Sequence, residues 1–366
     1  MKLSIMSKKF LNAVQMAGAA SAARSTIPAL TSLLLETRDD KLVVIGSDME
    51  ISVAYGVGEV EISRPGSCLI PASRLLTIAR ENDSDSLTIN SDEKKTRVEF
   101  GRSKYDFNIQ HVDTYPKPLS TNPEGKFWYT VPSKMFKEAV GRTDFAISAN
   151  EGSKWNTTGA YFSQREDFLD IVCTDTKQLV YFPMTIENKQ ETPLSAIIPA
   201  KAVDIVTRNC EAGDTMKINL EKNSASFECG EWVLSTSVIA GIFPPYMTIL
   251  TKHSPHKIEL DVAEFTNTIR RGAIMLDTVS KRIDLVFADN RLTVETPGIS
   301  EGNSSSSMPI KWDGEEVRIG LDATHVMSYL RTIQHADKVR IEFGKQKPMV
   351  MQIDGPKSDY LIMPMY

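Results

Sequence analysis

The sequence lacks the features that mark secreted, membrane-spanning and disulfide-bonded proteins. No apolar run approaches the ~18 residues of a membrane-spanning helix, and the opening MKLSIMSKKF has no signal-peptide core. The 366 residues include four cysteines, none of them in a CxxC pair: Cys68, Cys173, Cys210 and Cys229. We therefore expect a cytoplasmic protein with reduced, incidental thiols.

Motifs of catalysis and cofactor binding are also missing. The chain has no GxxxxGK[ST] loop, no GxGxxG after a strand and no HExxH. HSPH at 253–256 could supply metal ligands, but it lies in a proline-containing linker with no third ligand nearby. Cys173 precedes Thr174 and Asp175, yet no histidine is placed by sequence to activate its thiol. We expect no cofactor, no metal and no enzymatic activity; a dispersed active site stays an alternative.

One helical pattern occurs three times along the chain. Apolar or small residues spaced i, i+3, i+4, i+7 begin at Phe10, Phe136 and Phe265, which lie 126 and 129 residues apart. A second helix follows in each repeat, with the sequences IPASRLLTIAR, IPAKAVDIVTR and GLDATHVMSYLR. Strand-like stretches bounded by Asp, Asn and Gly lie between these helices and after them.

The repeats also end alike, with SLTIN…TRVEF…YDFNI, MKINL…ASFEC…VLSTSVI and VRIEF…VMQID…YLIMPM. This order predicts an α+β fold of three tandem helix-and-antiparallel-sheet domains at 1–125, 126–252 and 253–366. The apolar end YLIMPMY is then a paired last strand with a short overhang. No polar capping repeat is present, which favours a ring closed by self-association over an open array. The Ser- and Gly-rich run 298–316 predicts a mobile surface loop.

Charge is distributed unevenly between the predicted helices and the rest of the chain. The helices at 7–24, 72–81, 133–149, 200–211, 262–277 and 322–336 contain 13 Lys and Arg against 8 Asp and Glu, although the chain carries a net charge of −5. A basic helical set in an acidic protein suggests a surface for a polyanion, while the alternative is an ordinary solvated helix face. No helix-turn-helix or zinc-finger pattern is present, so any contact with nucleic acid would be to phosphates without sequence choice.

Several stretches together resemble one known family over the whole chain. RSTIPALTSLLLE (24–36), GSDMEISV (46–53), CTDTKQLVY (173–181), GIFPPYMTIL (241–250) and the final MPM are similar to the β sliding clamps of bacterial DNA polymerase III. The resemblance implies a head-to-tail homodimer that forms a ring, with helices inside and sheets outside. Duplex DNA would pass through this ring without sequence specificity, and the protein would act as a non-catalytic processivity factor in DNA replication.

The resemblance also implies particular residues for DNA contact and for the dimer interface. The DNA-facing positions would be Arg24, Arg74, Arg80, Lys137, Lys154 and Lys201. The ring interface would bring Ile274 and Met275 against Tyr105 and Phe107 of the other protomer, although all four could equally be core residues.

A pocket for partner peptides is the third implied site. The family receives a short peptide with a Gln and a Leu-Phe end, carried by the replicative polymerase, the clamp loader and repair proteins. The matching positions are Thr157, Thr174, Thr176, Lys177, Gln178, Leu179, Pro244, Thr248, Ile249, Ile362, Met363, Pro364 and Met365. This chain reads TDTKQLV where the family often reads TDGHRLA, has Thr157 and Thr248 where an apolar residue and an Arg are common, and ends at Tyr366 without a further apolar residue. We expect a more polar pocket; a scaffold that binds peptides without encircling DNA remains the alternative.

Overall fold

The computed structural model describes residues 1–120, 127–150, 155–211, 213–250, 254–297, 302–354 and 358–366. The first repeat contains two helices and nine strands: β1 (Lys2–Met6), α1 (Ser7–Ala20), β2 (Ser32–Arg38), β3 (Lys41–Ser47), β4 (Ile51–Val57), β5 (Glu61–Arg64), β6 (Ser67–Pro71), α2 (Ala72–Arg80), β7 (Ser86–Ser91), β8 (Lys95–Phe100) and β9 (Ser103–Asn108).

The second repeat follows a similar order of elements, but its described residues form four strands rather than five between the two helices. It consists of β10 (Tyr129–Pro132), α3 (Ser133–Gly141), β11 (Gly159–Arg165), β12 (Phe168–Thr174), β13 (Gln178–Thr185), β14 (Ser195–Pro199), α4 (Ala200–Asn209), β15 (Thr215–Leu220), β16 (Ser224–Cys229) and β17 (Trp232–Ser237). A short helix, α5 (Tyr246–Leu250), connects it to the third repeat.

The third repeat completes the chain. It consists of β18 (His256–Asp261), α6 (Val262–Gly272), β19 (Arg282–Ala288), β20 (Arg291–Thr296), β21 (Ser304–Pro309), β22 (Val317–Asp322), α7 (Ala323–Thr332), β23 (Lys338–Phe343), β24 (Met349–Ile353) and β25 (Asp359–Ile362). The predicted α+β class, the tandem repeats and the paired last strand are confirmed.

Contacts divide the chain into two compact units, 1–136 with 187–238, and 137–186 with 239–366. The predicted domain boundaries stay a prediction, because the two units divide the second repeat. In the first unit, one sheet has the order β5-β1-β7-β8-β9 and another β10-β15-β16-β17-β4-β3-β2-β6. In the second unit, β11, β12, β13, β25, β24, β23 and β18 are neighbours in that order, and a further sheet has the order β21-β20-β19-β22.

The closing strand of one repeat pairs with the preceding repeat at two places. β17 runs antiparallel to β4, with Thr236 opposite Ile51, and β25 runs antiparallel to β13, with Ile362 opposite Gln178. β4 and β13 are the third strands of the meanders β2-β3-β4 and β11-β12-β13. The corresponding strand of the third repeat is β21, and the closing strand of the first repeat is β9. Among the described strands, each of these two lies at the edge of a sheet.

Helix packing follows from the apolar spacing in the sequence. Phe10, Ala13, Val14 and Ala17 are completely buried on α1. A Cβ at Gly46 of β3 would lie 1.9 Å from the Ala17 carbonyl oxygen, so glycine is needed for α1 to approach the sheet this closely.

Two sequence-based expectations were wrong in detail. The predicted helices extend too far at their C-terminal ends: α1 ends at Ala20 rather than 24, and α3 ends at Gly141 rather than 149. The run 298–316 was expected to be a loop, yet its residues 304–309 form β21, because their backbones pair in register with β20 and Met308 is buried. Residues 298–301 lie outside the described part of the chain.

Candidate functional site

The hairpin tip between β12 and β13 is held by side chains that cap its own backbone. Asp175 Oδ1 accepts hydrogen bonds from the amides of Lys177 and Gln178, both at 2.9 Å. Thr174 Oγ1 accepts from the Thr176 amide at 3.0 Å and donates to the Gln178 carbonyl. Thr176 has a φ of 77°, a left-handed conformation that a β-branched residue rarely adopts. The tip is therefore a strained turn that several hydrogen bonds stabilise.

The C-terminal tail runs beside this tip. The Met363 amide donates to the Lys177 carbonyl at 2.8 Å, and the Met365 amide donates to the Gly320 carbonyl at 2.8 Å. A Cβ at position 320 would lie 2.7 Å from the Met365 carbonyl oxygen, so glycine permits the tail to approach β22. The tail is consequently fixed on both sides by backbone hydrogen bonds.

A cleft of about 150 Å³ lies between the tip, α5 and the tail. Eight of the residues that the sequence predicted for the peptide pocket line it together: Thr174, Thr176, Lys177, Gln178, Leu179, Pro244, Ile249 and Met363. Trp155 and Leu361 also line the cleft and were missed by the sequence analysis. Apolar walls with a few polar groups at the rim are typical of a peptide or small-molecule site.

Other predicted pocket residues do not line this cleft. Thr157 and Ile362 are almost completely buried, and Thr248 is exposed on α5. Pro364 and Met365 line a neighbouring cleft with Tyr366, beside Arg282, Arg318 and Lys345. The tail therefore separates two clefts rather than contributing all its residues to one.

A buried carboxylate anchors α5, the helix that carries Ile249. Asp170 is fully buried and accepts hydrogen bonds from the Tyr246 hydroxyl at 2.9 Å and the Tyr181 hydroxyl at 3.2 Å. Arg165 Nε donates to it at 3.1 Å. Burial raises the pKa of Asp170, against the opposing effect of these partners. Because Tyr246 begins α5, this network fixes the cleft wall to the sheet.

The predicted DNA-facing residues are surface side chains where the structure describes them. Arg24, Arg74 and Arg80 are exposed, the last two on α2, and Lys137 is half-buried on α3. Lys201 on α4 is exposed and forms an ion pair with Asp48 at 2.6 Å. Lys154 lies outside the described residues.

The predicted interface residues lie next to the two edge strands. Tyr105 and Phe107 alternate along β9 and are both half-buried. Ile274 is 73% exposed, and the Met275 amide donates to Ser304 Oγ at the start of β21 at 3.4 Å.

The structure also places the cysteine and the histidines that the sequence analysis considered for catalysis and metal binding. Burial raises the pKa of the Cys173 thiol to about 12, which keeps it protonated and unreactive. His256 packs edge-on against Trp312, with 5.0 Å between ring centroids, and His253 lies outside the described residues. No group of three His, Cys, Asp or Glu side chains suited to a metal occurs in the described ranges. No described helix is long and apolar enough to cross a membrane.

Models of one protein family match the chain in three consecutive parts. The N-terminal, central and C-terminal domains of the DNA polymerase III beta subunit match residues 1–119, 130–245 and 247–366. The beta sliding clamps of Haemophilus influenzae and Escherichia coli K12 are 23% and 22% identical to the chain over 369 residues, covering 100% of both proteins in each case. That of Chlamydia trachomatis is 26% identical over 344 residues, which are 93% of this chain and 80% of the relative.

Solved structures show the same fold. A DNA polymerase sliding clamp from Bacillus subtilis superposes with a TM-score of 0.92 at 20% identity, covering 100% of this chain and 99% of the other. A Pseudomonas aeruginosa sliding clamp bound to griselimycin gives the same TM-score, identity and coverage.

Proposed function

The chain belongs to the DNA polymerase III beta-subunit family, and on this premise we propose that it is a DNA sliding clamp. It encircles duplex DNA without sequence specificity and tethers the replicative polymerase to it. The role is topological and non-catalytic, and its place is the cytoplasm, where the bacterial chromosome is replicated. We assign the three domains to residues 1–125, 126–252 and 253–366.

The proposal of a ring rests on the strand pairing that joins consecutive repeats. Within the chain, β17 pairs with β4, and β25 pairs with β13. A third pairing of the same kind would join β9, the closing strand of the first repeat in one protomer, to β21 in the third repeat of another. Open sheet edges are ready-made sites for such pairing. Two protomers joined head to tail in this way form a closed ring of six similar domains.

The side chains beside these edges suit an interface. Ile274 is an exposed isoleucine, and the amide of its neighbour Met275 donates to Ser304 Oγ at the start of β21. Tyr105 and Phe107 project from the edge strand β9. Apolar and aromatic side chains of this kind are enriched at the centres of protein interfaces. We therefore assign these four residues to the contact between protomers.

We assign contact with DNA to the helices and to the loop that precedes the short 3-10 helix Pro28–Thr31. Arg24, Arg74, Arg80, Lys137, Lys154 and Lys201 would face the duplex, each making a weak phosphate contact. Because Lys201 forms an ion pair with Asp48, we expect it to contribute less to DNA binding than the arginines do. An acidic protein with a net charge of −5 would then present its acidic surface away from DNA.

The cleft beside the tail is the proposed partner site. We assign it to the short Gln/Leu-Phe peptides of the polymerase, the clamp loader and repair proteins. Leu179, Pro244 and Ile249 provide apolar walls for the Leu-Phe end, while Thr174 and Thr176 are polar residues of the lining. Met363 adds a flexible wall that adapts to different peptides.

Fluorescence polarisation with a labelled peptide ending in Gln-Leu-x-Leu-Phe tests the partner site. The intact protein is expected to bind, and a chain truncated before Met363 is expected to lose most of the affinity. The truncation leaves β25 complete, because that strand ends at Ile362. Binding that is unchanged by truncation, or no binding by the folded intact protein, would refute the assignment of the cleft.

A further inference from the structure

Equivalent hairpin tips in the first two repeats share an aspartate that contacts a helix of the next repeat. In the tip between β3 and β4, Asp48 Oδ1 accepts hydrogen bonds from the Glu50 amide at 3.1 Å and the Ile51 amide at 2.8 Å. Its Oδ2 lies 2.6 Å from Lys201 Nζ on α4. The carboxylate thus caps its own turn and also joins that turn to a neighbouring helix.

The second tip repeats this arrangement with a different helix residue. Asp175 caps the amides of Lys177 and Gln178, and its Oδ2 lies 3.2 Å from His325 Nε2 on α7. The Gln178 side-chain amide also donates to Oδ2, at 2.9 Å. The Tyr360 hydroxyl in turn donates to Gln178 Oε1 at 3.0 Å. This network includes the backbone of the tip that lines the cleft.

The two contacts differ in burial. The His325 and Asp175 side chains are 17% and 20% exposed, whereas the Lys201 side chain is 47% exposed. Burial opposes ionisation of Asp175, but the hydrogen bonds from His325, Gln178 and Lys177 hold the pKa of its carboxyl below the ordinary value. The carboxylate therefore remains charged at neutral pH, and it interacts with His325 in a site with little solvent screening.

Both tips contain a strained residue at the same place. Met49 has a φ of 79° and Thr176 a φ of 77°, and neither residue type adopts this region readily. Strain of this kind persists only where surrounding contacts determine the conformation. In the second tip, the conformation matters for binding, because Thr176 and Lys177 line the cleft.

We propose that His325 is a positioning residue for the partner cleft, which holds the strained 174–178 tip in its binding conformation through Asp175. This inference rests on the proposed function of the cleft. His325 itself does not line the cleft; it acts through the carboxylate that caps the tip. A tip released from α7 populates relaxed conformations, and the apparent affinity for a peptide falls with the fraction that remains competent.

The test measures affinity for the labelled Gln-Leu-x-Leu-Phe peptide and the melting temperature of each variant. His325→Ala keeps α7 helical, because alanine is a strong helix former, and it is expected to weaken binding about fivefold. His325→Lys gives Asp175 a lysine partner, as Asp48 has in the first tip. This variant is expected to restore affinity to within about twofold of the wild type. Asp48→Asn, which disrupts the equivalent contact outside the cleft, is the matched control and should bind as the wild type does.

A double variant separates positioning from general destabilisation. Thr176→Gly removes the steric strain, so adding His325→Ala to it should cost less than about twofold in affinity. Two results would overturn the positioning role while leaving the cleft assignment intact. One is that His325→Ala binds the peptide with wild-type affinity. The other is that His325→Ala causes the same loss of affinity in the wild-type background and in the Thr176→Gly background. A wild-type protein that binds no peptide would overturn both.

Discussion

Charged residues at the proposed protomer interface should convert the protein into a folded monomer. The substitution combines Ile274→Asp with Met275→Asp. Ile274 is 73% exposed within the chain, so its replacement should change the free energy of unfolding by less than about 0.5 kcal/mol. The interface, in contrast, would lose an apolar contact and acquire two carboxylates next to the β21 edge.

The size of the effect follows from the exposed area. Burying most of an isoleucine side chain contributes about 1.5–2 kcal/mol, and placing a carboxylate there adds a desolvation penalty of at least about 1 kcal/mol. Each interface should therefore weaken by about 3 kcal/mol, and the ring contains two such interfaces. A total near 6 kcal/mol raises the dissociation constant by about four orders of magnitude.

Light scattering coupled to size-exclusion chromatography measures the outcome. The wild type should elute with twice the mass of the 40.7 kDa chain, and the double variant with the mass of one chain at micromolar concentration. Ile242→Asp is the control, because Ile242 is 68% exposed but lies outside the proposed interface, and this variant should stay dimeric. A double variant that remains dimeric would refute the interface, and a monomeric wild type would refute the ring.

Three further predictions concern charge, thiols and the cleft support. Arg24→Glu with Arg74→Glu should weaken DNA retention and reduce the slope of log affinity against log salt by about two per protomer; an unchanged slope would exclude both residues from DNA contact. Burial raises the pKa of the Cys68 and Cys173 thiols to about 12, so a thiol reagent at pH 8 should label neither until denaturant is added. Asp170→Asn should cost about 2–4 kcal/mol, seen as a lower urea midpoint, and a wild-type midpoint would contradict the account of the buried network.

Local and periodic features of this fold could be predicted from the sequence. The apolar spacings that begin at Phe10, Phe136 and Phe265 locate the first helix of each repeat, because residues on one face of a helix recur about every three to four positions. The paired last strand follows from the same repetition. α5 escaped detection because it has only five residues and follows two prolines.

Features that depend on long-range contacts could not be predicted from composition. The serine run of β21 reads as a loop, and only its pairing with β20 makes it a strand. Alignment of the repeats would have indicated it, since β4 and β13 occupy the equivalent place. Trp155 carries no local pattern that assigns it to a cleft lined by residues from 174–179 and the tail. The contact between Asp175 and His325 likewise joins residues far apart in sequence.

Retention on circular DNA tests the central claim most directly. The protein is loaded by a compatible clamp loader onto a nicked circular duplex, isolated by gel filtration, and the DNA is then cut once. If the protein is a ring that encloses the duplex and slides along it, it should stay on the circular DNA and be lost rapidly after linearisation, because the attachment is topological. Equal retention on circular and linear DNA, or none on either, would contradict the clamp account.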